Sequence, residues 1–230
     1  MSVSKETLQE WRNCTIHFDL GALFGMSVSE TTDMLITEAS NLKKYAEAML
    51  LNFMKTITFM AFTKMKPQTD DGLRNLVALY NECSEAVRSV EDIALLLFQY
   101  ESPSILEKIE EIIEWTDEIL DETSIYHSHY LIIISKAALD HNFIDINEVK
   151  STIENGNRSE GITEIASGII NFEMSKCPYD DMSKYFELRD SGKLDEFYNQ
   201  NKMEYQSMSD MCGFDKMSPD ALKKFWPWDD

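Results

Sequence analysis

A chain of 230 residues is long enough to bury a full core, and 43% hydrophobic with 11% aromatic residues excludes wholesale disorder. Eight glycines and five prolines predict a few long elements rather than many short strands and turns. The formal net charge of −20, from 41 acidic against 21 basic residues, repels nucleic-acid phosphates and anionic membranes and attracts basic partners.

Apolar residues recur at helical spacing along almost the whole chain, so the expected fold is all-α. A first helix is expected over 4–20, ending near Gly21 or Gly25. It carries Arg12-Asn13-Cys14-Thr15-Ile16-His17, whose Arg-Asn-x-x-x-His form resembles that of HEPN-type ribonucleases, where arginine and histidine serve phosphodiester cleavage. In that family the motif falls late in a helical domain, so a histidine packed beside the core is the preferred reading here.

Ser27 or Ser29 caps a second, long helix running to about residue 65. Its latter half interleaves Met49, Met54, Met60 and Met65 with Phe53, Phe59 and Phe62, and is expected to be a central helix packed on most sides. Lys66-Pro67 ends it, because proline disfavours helical geometry in the residue before it. Thr69 or Asp70 starts a third helix to about Tyr100, and Ser102-Pro103, a cap followed by proline at the first helical position, starts a fourth to about Asp140. Long helices joined by short loops predict an antiparallel bundle over 1–140.

Beyond Asp140, shorter helices are expected at 146–155, 161–175, 181–190 and 193–206, with a last turn or two after Ser218-Pro219. Residues 141–230 are read as a smaller helical part packed on the bundle. Phe225, Trp226 and Trp228 near the end are too many large rings for core filler in so short a tail. They are expected to dock on the chain's own bundle, on a twin subunit or on a partner.

The most charged stretch is EEIIEWTDEILDE, residues 110–122, with seven carboxylates in thirteen residues. Paired carboxylates one helical turn apart suit Mg²⁺. Glu82 and Glu85 on the third helix, with Glu114 and Asp117 on the fourth, make a pattern that resembles in outline the all-α nucleoside triphosphate pyrophosphohydrolases of the MazG and dimeric dUTPase type. The resemblance implies a Mg²⁺-dependent enzyme with those four residues as metal ligands.

Helix geometry favours another reading. At 100° per residue the apolar stripe of the fourth helix runs through Ile105, Ile109, Ile112, Ile119, Tyr126, Tyr130 and Ile134. Glu114, Glu118 and Asp121 lie roughly opposite, and Asp117 about 100° from its centre. On the third helix the stripe is Leu73, Leu76, Tyr80, Val87, Ala94 and Phe98, with Glu82 and Glu85 opposite. Carboxylates that face solvent do not converge between helices. Residues 101–125 carry nine acids against Lys108 alone, a net −8 on one helix.

The leading expectation is therefore a non-enzymatic interaction protein without a cofactor: an inhibitor, adaptor or scaffold engaging a basic protein surface, with charge that can imitate nucleic acid. Glu107, Glu110, Glu111, Glu114, Asp117, Glu118 and Asp121 would supply attraction; Phe225, Trp226 and Trp228 would supply an apolar anchor. Direct binding of nucleic acid or membrane is not expected, and a homo-oligomer stays open.

The remaining candidates weigh little. His127 and His129 are two apart and point to different faces of a helix, and His141 lies near the helix end. Cys14, Cys83, Cys177 and Cys212 lack metal-site spacing and suit a reducing cytosol. No run reaches the roughly 18 apolar residues of a membrane span. The stretch MSVSKETLQEW lacks the apolar core of a signal peptide, so a cytoplasmic location is expected.

Overall fold

Helix-capping chemistry sets where the long elements begin. The computed structural model describes residues 25–63, 69–100, 102–177 and 182–213. Ser27 opens α1 (Val28–Thr63) through a reciprocal capping box: its Oγ accepts the Glu30 N–H, and its own N–H donates to Glu30 Oε2 at 2.8 Å. Thr69 Oγ1 accepts the Gly72 N–H at the start of α2 (Asp70–Leu97), and Ser102 Oγ accepts the Ile105 N–H at the start of α3 (Pro103–Asp140). The shorter helices are α4 (Ile146–Glu154), α5 (Arg158–Lys176), α6 (Ser183–Asp190) and α7 (Leu194–Cys212).

These seven helices, with no strand among the described residues, make an all-α fold of long antiparallel helices followed by shorter ones. The expected first helix, its Arg12 and His17, and the turn after Ser218 lie outside the described residues. Several boundaries differ from expectation: α2 ends at Leu97 rather than near Tyr100, and α6 begins at Ser183 rather than 181. Helix α5 begins at Arg158 rather than 161, and α7 continues to Cys212 rather than stopping near 206.

The chain divides into two compact units. One draws on the chain up to Leu51, on Glu82–Thr123 and on Met182–Tyr205; the other on Asn52–Asn81, Ser124–Asp181 and the chain from Gln206 on. In the first unit the Tyr45 hydroxyl donates to Glu82, and the Cys83 thiol reaches the Ala46 carbonyl at 3.6 Å, joining α1 to α2. Tyr185 and Arg189 of α6 both donate to Glu38 Oε1 at 2.8 Å, and Tyr45 packs edge-on against Tyr185 and stacks on Phe197. Burial, then the bond to Glu38, drive the Tyr185 pKa well above the phenol range.

The second unit is centred on aromatic rings. Tyr80 stacks on Tyr130 at 4.4 Å between centroids, and Phe53 meets both rings at 5.7 Å. The buried Tyr130 hydroxyl donates to Glu173 Oε1 of α5 at 2.5 Å. A hydrogen bond to a charged group contributes about 1.5–3 kcal/mol. Tyr130→Phe keeps the rings and loses this bond, so urea unfolding should show a loss of about 2 kcal/mol. An unchanged midpoint would mean that the bond adds nothing to α3–α5 packing.

Of the interleaved methionines and phenylalanines, Met49, Phe53 and Met54 are core, while Phe59 is half exposed. The side chains of Phe62 and Met65 lie outside the described residues. Core packing thus claims the first half of this run, as its two-sided apolar pattern requires.

Candidate interaction face

The acidic face belongs to the part of α3 in the first unit. There Ile105, Ile109, Ile112, Ile113, Trp115, Thr116 and Ile119 are buried, which fixes the azimuth of the helix. Every carboxylate of the expected ridge is then exposed: Glu107, Glu110, Glu111, Glu114, Asp117, Glu118 and Asp121. Further along, the stripe continues through Tyr130 and Ile134, both buried, with Tyr126 half-buried.

Two contacts set the local electrostatics. Lys108, the lone base of this stretch, donates to both oxygens of Glu111 at 2.8 Å, an i,i+3 pair on the open surface. Glu107, Glu110, Glu114, Asp117 and Glu118 make no ion pair among the described residues. Across on α2, burial first and then Asp92 raise the Glu91 pKa; Arg88 opposes this, and Asp117 of α3 adds to it. The negative field of the face therefore reaches its neighbouring helix.

The four residues of the pyrophosphohydrolase resemblance are not brought together. Glu82 receives the Tyr45 hydroxyl, Glu85 pairs with Arg88 at 2.8 Å, and Glu114 and Asp117 face outward. Among the described residues no group of three or more His, Cys, Asp or Glu side chains is placed to hold a metal ion. On α3 the reason is the azimuth, which turns Glu114 and Asp117 away from the buried seam. On α2 the expectation is corrected: Glu82 and Glu85 are half-buried rather than opposite the seam, and Glu82, flanked by the buried Leu79, Cys83 and Ala86, is directed at Tyr45 of α1.

The histidines are also separate. His127 stacks on Tyr80 at 5.3 Å, His129 is buried with Nδ1 3.3 Å from the Ile125 carbonyl, and His141 packs near Phe172. Cys83 is a buried thiol, and neither it nor Cys177 is in a disulfide. Phe225, Trp226 and Trp228 lie outside the described residues.

Two features of the surface had no counterpart in the sequence reading. Trp115 is buried and donates Nε1–H to Glu47 Oε1 of α1 at 2.8 Å, with Lys43 Nζ 5.2 Å above its ring. The only sequence signal was a tryptophan breaking the acidic run. On α5, Ile162, Ala166, Ile170 and Met174 form an exposed apolar row at i,i+4 spacing, which periodicity reveals but cannot tell from a core face.

The chain matches no family model, no curated protein and no solved structure. No described helix is long and apolar enough to cross a membrane.

Proposed function

We propose that this protein is a non-enzymatic interaction protein, an inhibitor, adaptor or scaffold of the cytosol, that presents the acidic face of α3 to a basic surface of a protein partner. The observation that supports this reading is the simultaneous exposure of seven carboxylates on one helix whose opposite side is core. From Glu107 to Asp121 the helix rises about 21 Å at 1.5 Å per residue, or about 3.5 Å for each successive charge. One strand of duplex DNA carries a phosphate about every 3.4 Å. The face therefore offers a line of charge similar in density to a single nucleic-acid strand, and a groove shaped for phosphates is the partner chemistry it fits.

Charge of this kind speeds encounter and sets salt dependence, while buried apolar contacts carry most of the affinity. Phe225, Trp226 and Trp228 are the candidates for that second role. Partners captured from the native cell at low salt should be released as the ionic strength rises, and changing Glu110, Glu114, Glu118 and Asp121 to their amides should slow association roughly tenfold or more. Capture that is indifferent to both salt and amide substitution would sink the reading.

A further inference from the structure

In the first unit, α1 and α3 leave a groove of about 330 Å³ between them, which is within the size of small-ligand sites. Its walls carry Ser40, Lys43, Lys44 and Glu47 from α1 and Lys108 and Glu111 from α3. Three lysines against two glutamates therefore line one groove, a local excess of positive charge in a chain with twenty more acids than bases. Ile36, Ala39 and Ile112 give it an apolar lining as well.

The three lysines are not equivalent. Lys44 Nζ lies 2.5 Å from Asp195 of α7, and Lys108 is held by Glu111. Both pairs are largely solvent-exposed, and exposed pairs of this kind contribute only about 0–1 kcal/mol, so either lysine can exchange its carboxylate for another anion. Lys43 is half-buried and makes no hydrogen bond or ion pair among the described residues. Its polar surroundings are otherwise committed: Glu47 accepts from Trp115 Nε1 and from Tyr198, and Glu111 accepts from Lys108.

Partly desolvating an ammonium that has no hydrogen-bond acceptor from the protein is unfavourable, and the Trp115 ring face offsets only part of that cost. Consistent with this, burial lowers the Lys43 pKa, although Glu47, Glu111 and Glu118 oppose the shift and Lys108 supports it. An anion in the groove would accept from Lys43 and from the neighbouring Lys44 and Lys108. A phosphate group suits three point charges that approach from different directions, since lysine binds phosphate as a point charge rather than as a planar fork.

We propose that the α1–α3 groove is a binding site for a phosphate group, free or carried as a small monoester, with Lys43 as its principal contact and Lys44 and Lys108 as flanking ones. The site does not depend on the acidic-face reading, although Glu111 belongs to both: it rests on the lysines that line the groove and not on a partner for the exposed ridge.

Trp115 beneath Lys43 is a built-in reporter. Titration of the full chain with inorganic phosphate should give a saturable change in tryptophan fluorescence that sodium chloride at equal ionic strength does not reproduce. The signal should vanish in Trp115→Phe while calorimetry still registers binding. Lys43→Gln should weaken binding roughly tenfold or more, and Lys43→Arg much less. Glycerol phosphate binding more tightly than inorganic phosphate would identify a monoester as the preferred form, with its organic part on Ile36 and Ile112; equal binding would identify the free ion. Should Lys43→Gln fail to fold by circular dichroism, Lys44→Gln and Lys108→Gln, each expected to weaken binding several-fold, decide the matter. A response equal to that of chloride, or wild-type binding by the folded lysine variants, overturns the proposal.

Discussion

Gly168→Ala should destabilise the protein by about 2–3 kcal/mol, among the larger effects expected of any single methyl group added to this chain. Gly168 lies inside α5, where it is buried against the connection between α3 and α4. A Cβ there would stand 2.4 Å from Ile144 Cγ1 and 2.6 Å from the Phe143 carbonyl oxygen. The carbonyl is backbone and cannot turn aside. Phe143 is pinned by its own N–H, which donates to the Ala138 carbonyl at 2.8 Å as α3 closes over Asn142 in the left-handed conformation. The whole connection must therefore shift.

Alanine gains about 1 kcal/mol of helix propensity over glycine, which offsets part of an overpacking cost of about 3 kcal/mol or more. Gly161, one heptad earlier, is the internal control. Its added Cβ would meet Ile153 Cγ1 at 2.6 Å, beside the branch point of a side chain that is stiff in a helix but exposed. Ile153 must move while no backbone atom is as close, so Gly161→Ala should cost about 1 kcal/mol, less than Gly168→Ala. Urea unfolding of both variants tests the pair. Equal stability of the two would show that α5 does not meet the α3–α4 connection at Gly168 as described.

The second large effect is alkaline. Cys83 is buried between α1 and α2, and burial pushes its thiol pKa from 9.0 up to about 12. The unfolded chain loses this proton near pH 9, while the folded chain keeps it to about pH 12. Between those values the folded state binds more protons, so stability falls as pH rises, by about 1.4 kcal/mol per pH unit and about 4 kcal/mol in all. The full contribution is present below pH 9.

Tyr130 and Tyr185, whose hydroxyl pKa values are also raised by burial first, steepen the loss only above their ordinary value of 10.0. The window from pH 9 to 10 lies below those hydroxyls, and the difference between wild type and Cys83→Ala there separates the cysteine from Lys43, whose pKa burial lowers. Urea unfolding under reducing conditions should show that slope in wild type and its absence in Cys83→Ala. The same slope in both proteins would mean that Cys83 ionises normally in the folded chain and is not enclosed.

Much of this molecule could be read from local patterns. Ser27, Thr69 and Ser102 mark the starts of the three long helices because a hydroxyl near a free N–H is a matter of a few neighbouring residues. The outward aim of Glu107 through Asp121 follows from the 3.6-residue period once Ile105, Ile109, Ile112 and Ile119 are taken as the seam. The start of α5 was less legible. Gly161 in ENGNRSEG has the look of a helix breaker, yet it sits inside the helix because Ile153 of another element occupies the place of its Cβ.

By itself, then, the sequence determined an all-α chain, the caps of its long helices and an acidic helix face, since propensity, capping and periodicity act within a turn or two of helix. The tertiary structure alone decided which side chains from distant helices meet. It placed Lys43 over Trp115, joined Tyr130 to Glu173, seated Gly168 against Phe143 and kept Glu82 and Glu85 apart from Glu114 and Asp117. Those pairings depend on the rotation and offset of one helix against another, which are set by the packing of side chains far apart in the chain and leave no local spacing to read.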